Sequence, residues 1–585
     1  MINATLPNFS VTEYTSVQDN FNIDWRIIPS MRLQGRFSYT KQLDKAEEFK
    51  SPKSPEFNYI ASEVEDAEKN KGSYYVKNGK TDRLDGNVTL SYFKNIGKSV
   101  LNIGIGTNMM ATMTKGDWYT ATGFVSETMD FIGAGTAFKY NSKPSGSYDK
   151  SRLVGFFANV NYGWDNRYFF DFSYRTDGSS KFGRDSRFAP FWAVGFAWNV
   201  HKEHFVNWNE RNLLKVRLSA GSTGSVNFES SQALTTYQYD FDNEYNGYYG
   251  VMLKGYGNPG LKWQNTYSYN AGIDWAFLKG RVQLNVDAYL KITDNLLLPI
   301  DIAPSTGFYS YTENLGKSEN RGIEGRLRVG IIENRAKELT WNVTLAGFAN
   351  RNKIKKLSNM LEKMNEDANK EETLKGGTVY RQYAEGRSQS ALMLVRSAGI
   401  DPATGNEVFI KADGSRTFVY DYRDKVEVGD MLPKMEGNIT SNLNWKGFNL
   451  YLLFRYQWGG KTYNSTLADK VENNWQHYER VRNKDKRALY DRWMNPGDEA
   501  LFRRIDERTN AYQTTRLMQK DNLFSLQSVS LSYELPLKYA SCIGAERIKF
   551  LASMTDVFRI SSIEQERGTA YPFARTFSIG LNVAF

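Results

Sequence analysis

Strict alternation at the carboxyl terminus constrains this chain more than any other feature. Phe577, Ile579, Leu581, Val583 and Phe585 alternate with Thr576, Ser578, Gly580, Asn582 and Ala584. An extended strand sends successive side chains to opposite faces, so this segment has one apolar face and one small or polar face. A soluble sandwich strand can show the same pattern. Here it recurs down the whole chain, without partner segments to fill a shared core. A sheet with hydrocarbon on one side and water on the other requires that arrangement, which is the condition of an outer-membrane β-barrel. The five apolar residues ending at Phe585 read as a barrel-assembly signal.

About seventeen segments alternate in this way and are expected as strands. They are 17–27, 31–40, 83–93, 98–110, 152–163, 167–176, 189–200, 213–221, 265–277, 280–298, 318–332, 338–350, 436–446, 447–459, 524–535, 546–556 and 575–585. Their connectors alternate in length. Short ones such as Lys94–Gly97 and Lys446-Gly447 separate long ones at 41–82, 111–151, 222–264, 299–317, 351–435, 460–523 and 557–574. Short periplasmic turns and long external loops mark a large antiparallel barrel rather than a solenoid, which would repeat at a fixed period. Parity sends the first strand from outside to inside. The odd count leads us to expect an additional strand, either upstream or at residues 5–14.

Composition agrees. Aromatics are 14% of residues, hydrophobic residues 41% and the formal charge is +10. No run of 18 apolar residues suggests a membrane helix, a test that a barrel escapes because half of each strand faces water. The basic clusters Arg351–Lys356 and Arg480–Arg487 read as solvated loops, and no basic element suggests nucleic acid. Cys542 is the only cysteine, which excludes an intrachain disulfide. The opening Met1-Ile2-Asn3-Ala4-Thr5 lacks the basic and apolar regions of a signal peptide. The expectation is that a leader was removed upstream, or that the chain is the C-terminal part of a longer product.

Catalytic and metal patterns are weak, and neither a cofactor nor a metal is expected. His201-Lys-Glu-His204 lacks the spacing of a zinc helix, and His477 stands apart. Gly97-Lys98-Ser99 and Gly460-Lys461-Thr462 resemble the end of a phosphate loop, but Tyr92 and Arg455 occupy the places of its first glycine. Asp240, Asp242 and Glu244 lack the spacing of a calcium loop and read as solvated. An outer-membrane protease or lipase would need a nucleophile or paired carboxylates near a histidine at adjacent strand ends, and the histidines lie outside the strong strands. The aromatic residues of the long connectors are more informative. Trp118 and Tyr119 sit in one, Tyr237, Tyr239, Phe241, Tyr245, Tyr248 and Tyr249 in another, and Trp475 and Tyr478 in a third. They either touch a ligand or partner, by stacking on sugar rings or clamping peptides, or form a rim girdle and loop packing. Leu357, Met360, Leu361 and Met364 predict a short helix within 353–373.

Several segments together give the chain a family resemblance. They are the hairpin Tyr168–Gly183, Asn258-Pro-Gly-Leu-Lys-Trp263, Asn320-Arg-Gly-Ile-Glu324, Ala398-Gly-Ile-Asp-Pro-Ala-Thr-Gly405 and Gly429-Asp-Met-Leu-Pro-Lys434. Trp445–Leu450 through Gly459-Gly460, Asp491-Arg-Trp493 with Asn495-Pro-Gly-Asp498, and Thr576–Val583 complete the set. In this order they resemble the C-terminal part of a SusC/RagA-type TonB-dependent outer-membrane receptor. The resemblance implies a barrel of roughly 22 strands around a plug, with residues 1–585 forming its C-terminal portion. The implied signal peptide, N-terminal extension, TonB-contacting segment and plug domain have no counterpart in the sequence. It also implies uptake of a glycan or oligopeptide from a SusD-like surface lipoprotein, powered by TonB acting through a plug. Arg326, Arg328, Asn342, Thr344 and Arg455 would then line the lumen, while Leu327 and Val343 face lipid. The residues alone leave open a passive pore, a surface ligand-binding barrel and a truncated fragment without function.

Overall fold

A computed structural model describes residues 6–57, 67–139, 144–183, 186–208, 211–225, 233–255, 257–301, 310–314, 316–357, 362, 365–366, 369–370, 374–375, 382–473, 486–507, 509–563 and 575–585. Alternation becomes one 18-stranded antiparallel sheet among them. One member is the two-residue piece Ala137–Phe138. The others are β1 (Phe9–Ile28), β2 (Met31–Lys50), β3 (Ser73–Ile96), β4 (Ser99–Thr122), β5 (Ser145–Trp164), β6 (Tyr168–Ser179), β7 (Phe188–Asn199), β8 (Leu213–Ser225) and β9 (Gln264–Phe277). They continue as β10 (Val282–Asp294), β11 (Lys317–Asn334), β12 (Leu339–Lys356), β13 (Met435–Trp445), β14 (Phe448–Tyr463), β15 (Met518–Glu534), β16 (Arg547–Ser561) and β17 (Thr576–Ala584). Each pairs with its neighbours in chain order, and among the described residues no pairing joins β17 to β1. β1 runs from the long-loop end to the short-turn end, as parity predicts.

Register makes the two faces continuous. Phe577, Ile579, Leu581 and Val583 stand opposite Met554, Ala552, Phe550 and Ile548. The apolar row passes through Leu531 and Leu450, Leu443 and Trp341, and Leu327 beside Leu345. It reaches Leu284 and Trp275, and later Leu33 beside Trp25. Trp25, Phe196 and Ile579 are among many large apolar residues left exposed on this face. An exposed apolar surface of this extent marks a membrane or protein contact. At the short-turn end it finishes in aromatic residues: Trp164 stacks on Tyr168 at 5.7 Å, and Trp275 lies 4.6 Å from Phe277. Such belts sit at the membrane–water boundary. Arg326, Arg328, Asn342, Thr344 and Arg455 alternate with these rows and share the opposite, polar face.

The sequence underestimates strand length at the long-loop end. β3 and β4 have 24 residues each, where about 9–11 suffice to cross a bilayer. Much of 41–82 and 111–151, expected as loop, is ladder. Residues 9–14 belong to β1 rather than to an earlier strand. Met360, Leu361 and Met364, which carry the expected helix at 353–373, lie outside the described residues, and residues 353–356 prolong β12. Glu362, Asn365 and Glu366 are helical.

A loop layer covers one end of the polar face. Leu394, Val471, Phe502 and Leu517 form its apolar core, drawn from two long connectors. The resembling segments work as docking pairs. Trp493 donates from Nε1 to the carbonyl of Pro402 at 2.8 Å. Gly405 has φ +72 and passes so close to that indole that a Cβ would lie 2.6 Å from it, a position that only glycine tolerates. Phe182 stacks on Trp263 at 4.9 Å, and the indole donates to Arg187 O at 3.2 Å. Lys434 N donates to Trp458 O at 2.9 Å, which joins the 429–434 segment to Gly459-Gly460.

Candidate functional site

Charge on the polar face is organised across strands. Arg217 on β8 holds Asp274 on β9 through two hydrogen bonds of 2.8 and 3.0 Å. It reaches past β9 to Asp287 on β10 at 3.0 Å. Gly272 makes room for this: a Cβ there would lie 2.9 Å from an Arg217 nitrogen. Neighbouring strands are about 4.8 Å apart, so a long side chain spans two spacings only over a glycine. Gly155 similarly lets Arg175 on β6 cross β5 and donate to Asn108 on β4 at 2.8 Å. These groups are ion-paired, hydrogen-bonded and wet, and they make a rigid polar wall rather than a reactive centre.

A cavity of about 660 Å³ lies where the upper ends of β10–β12 meet the loop layer, with Tyr289, Asn350, Asn352, Arg387, Glu427 and Asp430 among its walls. Tyr289 reaches over Gly322 and donates to Asn350 Oδ1 at 3.1 Å, while Asn352 donates to Asn320 Oδ1 at 2.9 Å. Arg387 pairs with Glu427 at 2.9 Å. Asp430 accepts from Ser390 Oγ at 2.5 Å. The walls thus offer one aromatic ring, amides and both signs of charge, which suits a polar ligand with many hydrogen-bonding groups. None of these residues was singled out individually. The segment Asn320–Glu324 was the available signal, and its glycine is the gap that Tyr289 crosses.

Behind this cavity a buried charge cluster ties the two loop connectors together. Arg516 donates to Glu407 at 3.0 Å and to Glu472 at 3.1 and 3.2 Å. Arg503 donates to Glu472 at 2.6 Å and Thr514 to Glu407 at 2.6 Å. Burial pushes the Glu472 carboxyl up, but Arg516 and Arg503 outweigh it and hold the group below the usual carboxylate range. Lys425, in the same layer, is pushed down to about 8 by burial.

Of the aromatic residues singled out from sequence, Trp118, Tyr119, Tyr237 and Tyr248 have described side chains. Trp118 and Tyr119 lie in β4, not in a connector, on opposite faces of the strand. Lys77 Nζ sits 5.9 Å from the Trp118 ring centre, and Tyr119 packs on the Phe49 cluster. Tyr237, Tyr239 and Tyr245 fall on one arm of a separate hairpin, Thr236–Tyr245, and Tyr248 and Tyr249 on the other, Tyr248–Gly255. Tyr237 and Tyr248 are exposed. The side chains of Tyr239, Tyr245, Tyr249, Asp240, Asp242 and Glu244 lie outside the described residues, as do Trp475, His477 and Tyr478 altogether. His201 Nδ1 lies 3.0 Å from Leu214 O, and His204 lies 3.0 Å from Arg167.

Known proteins share this architecture. The family profile described as "TonB dependent receptor-like, beta-barrel" matches residues 3–476. TonB-dependent receptor P3 of Formosa agariphila is 24% identical over 537 residues, covering 85% of this chain and 52% of its own. TonB-dependent receptor SusC of Bacteroides thetaiotaomicron is 35% identical over 217 residues, covering 36% and 21%. The solved RagAB peptide transporter superposes with a TM-score of 0.81 at 21% identity, over 96% of this chain and 60% of that one. That likeness is one of fold. The chain spans about half the length of the curated relatives P3 and P39.

Proposed function

The chain belongs to the TonB-dependent receptor-like β-barrel family, and from that premise we propose that it forms the wall and outer vestibule of a SusC-like nutrient transporter. The observation that carries this reading is one sheet with a continuous apolar belt on one face, an ion-paired polar lining on the other, and a cavity under a loop layer. The apolar face meets outer-membrane lipid. The polar face lines the lumen. The organisms of the relatives favour a Bacteroidetes-like Gram-negative host.

In this reading the chain is the C-terminal barrel portion of a receptor. An oligopeptide or oligosaccharide arrives from a SusD-like surface lipoprotein and is held at Tyr289, Asn350 and Asn352. TonB, acting through a plug, then opens the lumen. Exposed Tyr237 and Tyr248, on their separate hairpin, offer a further contact for ligand or partner. The run Phe577–Phe585 serves assembly into the membrane.

The test is uptake of labelled peptide and glycan mixtures by cells carrying the complete receptor. Saturable uptake that disappears with the proton gradient, and falls in Tyr289→Ala/Asn350→Ala, supports the transporter. Conductance in planar bilayers without TonB, indifferent to those substitutions, refutes it in favour of a passive pore.

A further inference from the structure

One rung below the Tyr289 cavity, toward the short turns, the polar wall departs from its pattern. Elsewhere on this face an arginine and a carboxylate two residues apart on one strand close on each other: Arg83 on Asp85 at 2.7 Å and Arg175 on Asp177 at 2.5 Å. Glu324 and Arg326 on β11 stand in the same relation, since alternate residues share a face. Neither makes a hydrogen bond or ion pair with another described residue. Their cross-strand neighbours supply no partner. Glu324 stands opposite Asp287, a carboxylate, and Phe348, a ring. Asp287 already shares Arg217 with Asp274. Glu436, beyond Phe348, pairs with Arg455 at 3.4 Å. Like charges facing each other across a ladder are destabilising, so this rung is short of a cation. Arg326 stands opposite Asn285 and Ala346, so the rung beneath is short of an anion.

A second, independent feature lies between the two charges. Ala346 is the short side chain of its row, and it leaves a hollow of about 340 Å³ walled by Asp287, Glu324, Arg326, Phe348 and Asn438. Phe348 is 43% exposed there, on the wet face rather than the lipid face. A bare ring in a water-facing hollow offers an apolar contact beside the charges.

We propose that this hollow is a subsite for a zwitterion of dipeptide length, with its ammonium on Glu324, its carboxylate on Arg326 and one side chain on Phe348. Two extended residues span about 7 Å, matching the two-residue rise from Glu324 to Arg326 along the strand. A neutral sugar leaves both charges unmatched. A metal cation meets the carboxylates but is repelled by Arg326. A free anion leaves the Asp287–Glu324 repulsion in place. The inference rests on the reading of the polar face as a transport lumen, and it adds a short-peptide station below the Tyr289 site.

The test is calorimetric binding of phenylalanylalanine to the complete receptor in detergent, beside its N-acetyl and C-amide forms. Loss of one charge-assisted contact weakens binding roughly tenfold, and each blocked form should show that loss. Glu324→Gln weakens the free dipeptide by the same factor and abolishes its advantage over the N-acetyl form. Arg326→Gln does so against the C-amide form. Ala346→Phe, which fills the hollow, removes binding, whereas Lys98→Gln at the short-turn end changes nothing. Heat-modified gel mobility checks that each variant is folded. No binding of the free dipeptide, equal binding of free and blocked forms, or unchanged end preference in the Glu324 and Arg326 variants overturns the proposal. Conductance without TonB alongside an intact end preference overturns the transporter reading and leaves the site standing. Uptake driven by the proton gradient in a receptor indifferent to blocked ends overturns the site alone.

Discussion

Replacing Arg516 by methionine tests whether the loop layer is held together by its buried charges. The guanidinium is 2% exposed and its partners Glu407 and Glu472 are 3% and 0% exposed. Removing it leaves Glu407 with the Thr514 hydroxyl and Glu472 with Arg503. Breaking a buried pair from one side costs about 3–5 kcal/mol, because a charge stays behind without its partner. Opening of residues 464–473, 486–507 and 509–517 should therefore become more frequent by roughly two to four powers of ten, while the sheet stays closed to exchange. The pH dependence carries a sign. In the unaltered protein Glu472 is held below its ordinary value of 4.5, so its stabilisation is complete above that value and is lost as pH falls through the lowered one. With Arg516 gone, burial opposes Arg503 alone and the carboxyl moves up. The variant's deficit should then shrink on going from pH 7 to pH 5. Hydrogen exchange of the intact protein, corrected for intrinsic rates, reads both effects. A change below about 1 kcal/mol, the scale of an ordinary exposed pair, or a deficit that grows on acidification, would refute the reasoning.

Four further outcomes follow from other parts of the molecule. In a Cys542→Ser background, Arg326→Cys and Arg328→Cys should react with soluble thiol reagents in membranes while Leu327→Cys and Val343→Cys resist; the reverse pattern would invert the faces. Gly272→Val should cut the Arg217–Asp287 bridge and lower stability by about 1–3 kcal/mol, seen as a lower temperature of gel-mobility collapse. Lys425, at about 8 when folded against 10.5 ordinarily, binds fewer protons folded than unfolded between those values. Local stability around 421–430 should rise with pH across that window, and Lys425→Met should abolish the slope in hydrogen exchange. Deleting Phe585, or placing Asp at Phe577, should reduce the amount assembled in the outer membrane, measured by surface protease accessibility.

The strands were legible wherever one face meets lipid and the other water, because period two is then imposed at every residue. Phe577–Val583 and Leu327–Val329 are read without ambiguity for that reason. Legibility ends where the strands run past the apolar belt, because burial there is confined to a local cluster around Phe49 and Ala121. Lys41–Lys50 and Thr112–Thr122 continue their ladders with no apolar alternation, so they read as loop. The docking segments could be recognised but not paired, since nothing local in Ala398–Gly405 says that Trp493 is its partner. The cavity was invisible for a related reason. Tyr289 lies 61 residues from the Asn350 it bonds, and only the strand register brings them together.

The docking pairs also shape how such a chain can diversify. Trp493 on Pro402, Trp263 on Arg187 and Lys434 on Trp458 fasten the ends of long excursions. Once the ends are pinned, doubling an excursion's length adds only about 0.6 kcal/mol of closure entropy. Segments between the rivets, such as 357–390, can therefore be rewritten, lengthened or shortened while the frame beneath them keeps its shape. In the transporter reading proposed above, new cargo preferences would become accessible through edits that the barrel wall never feels.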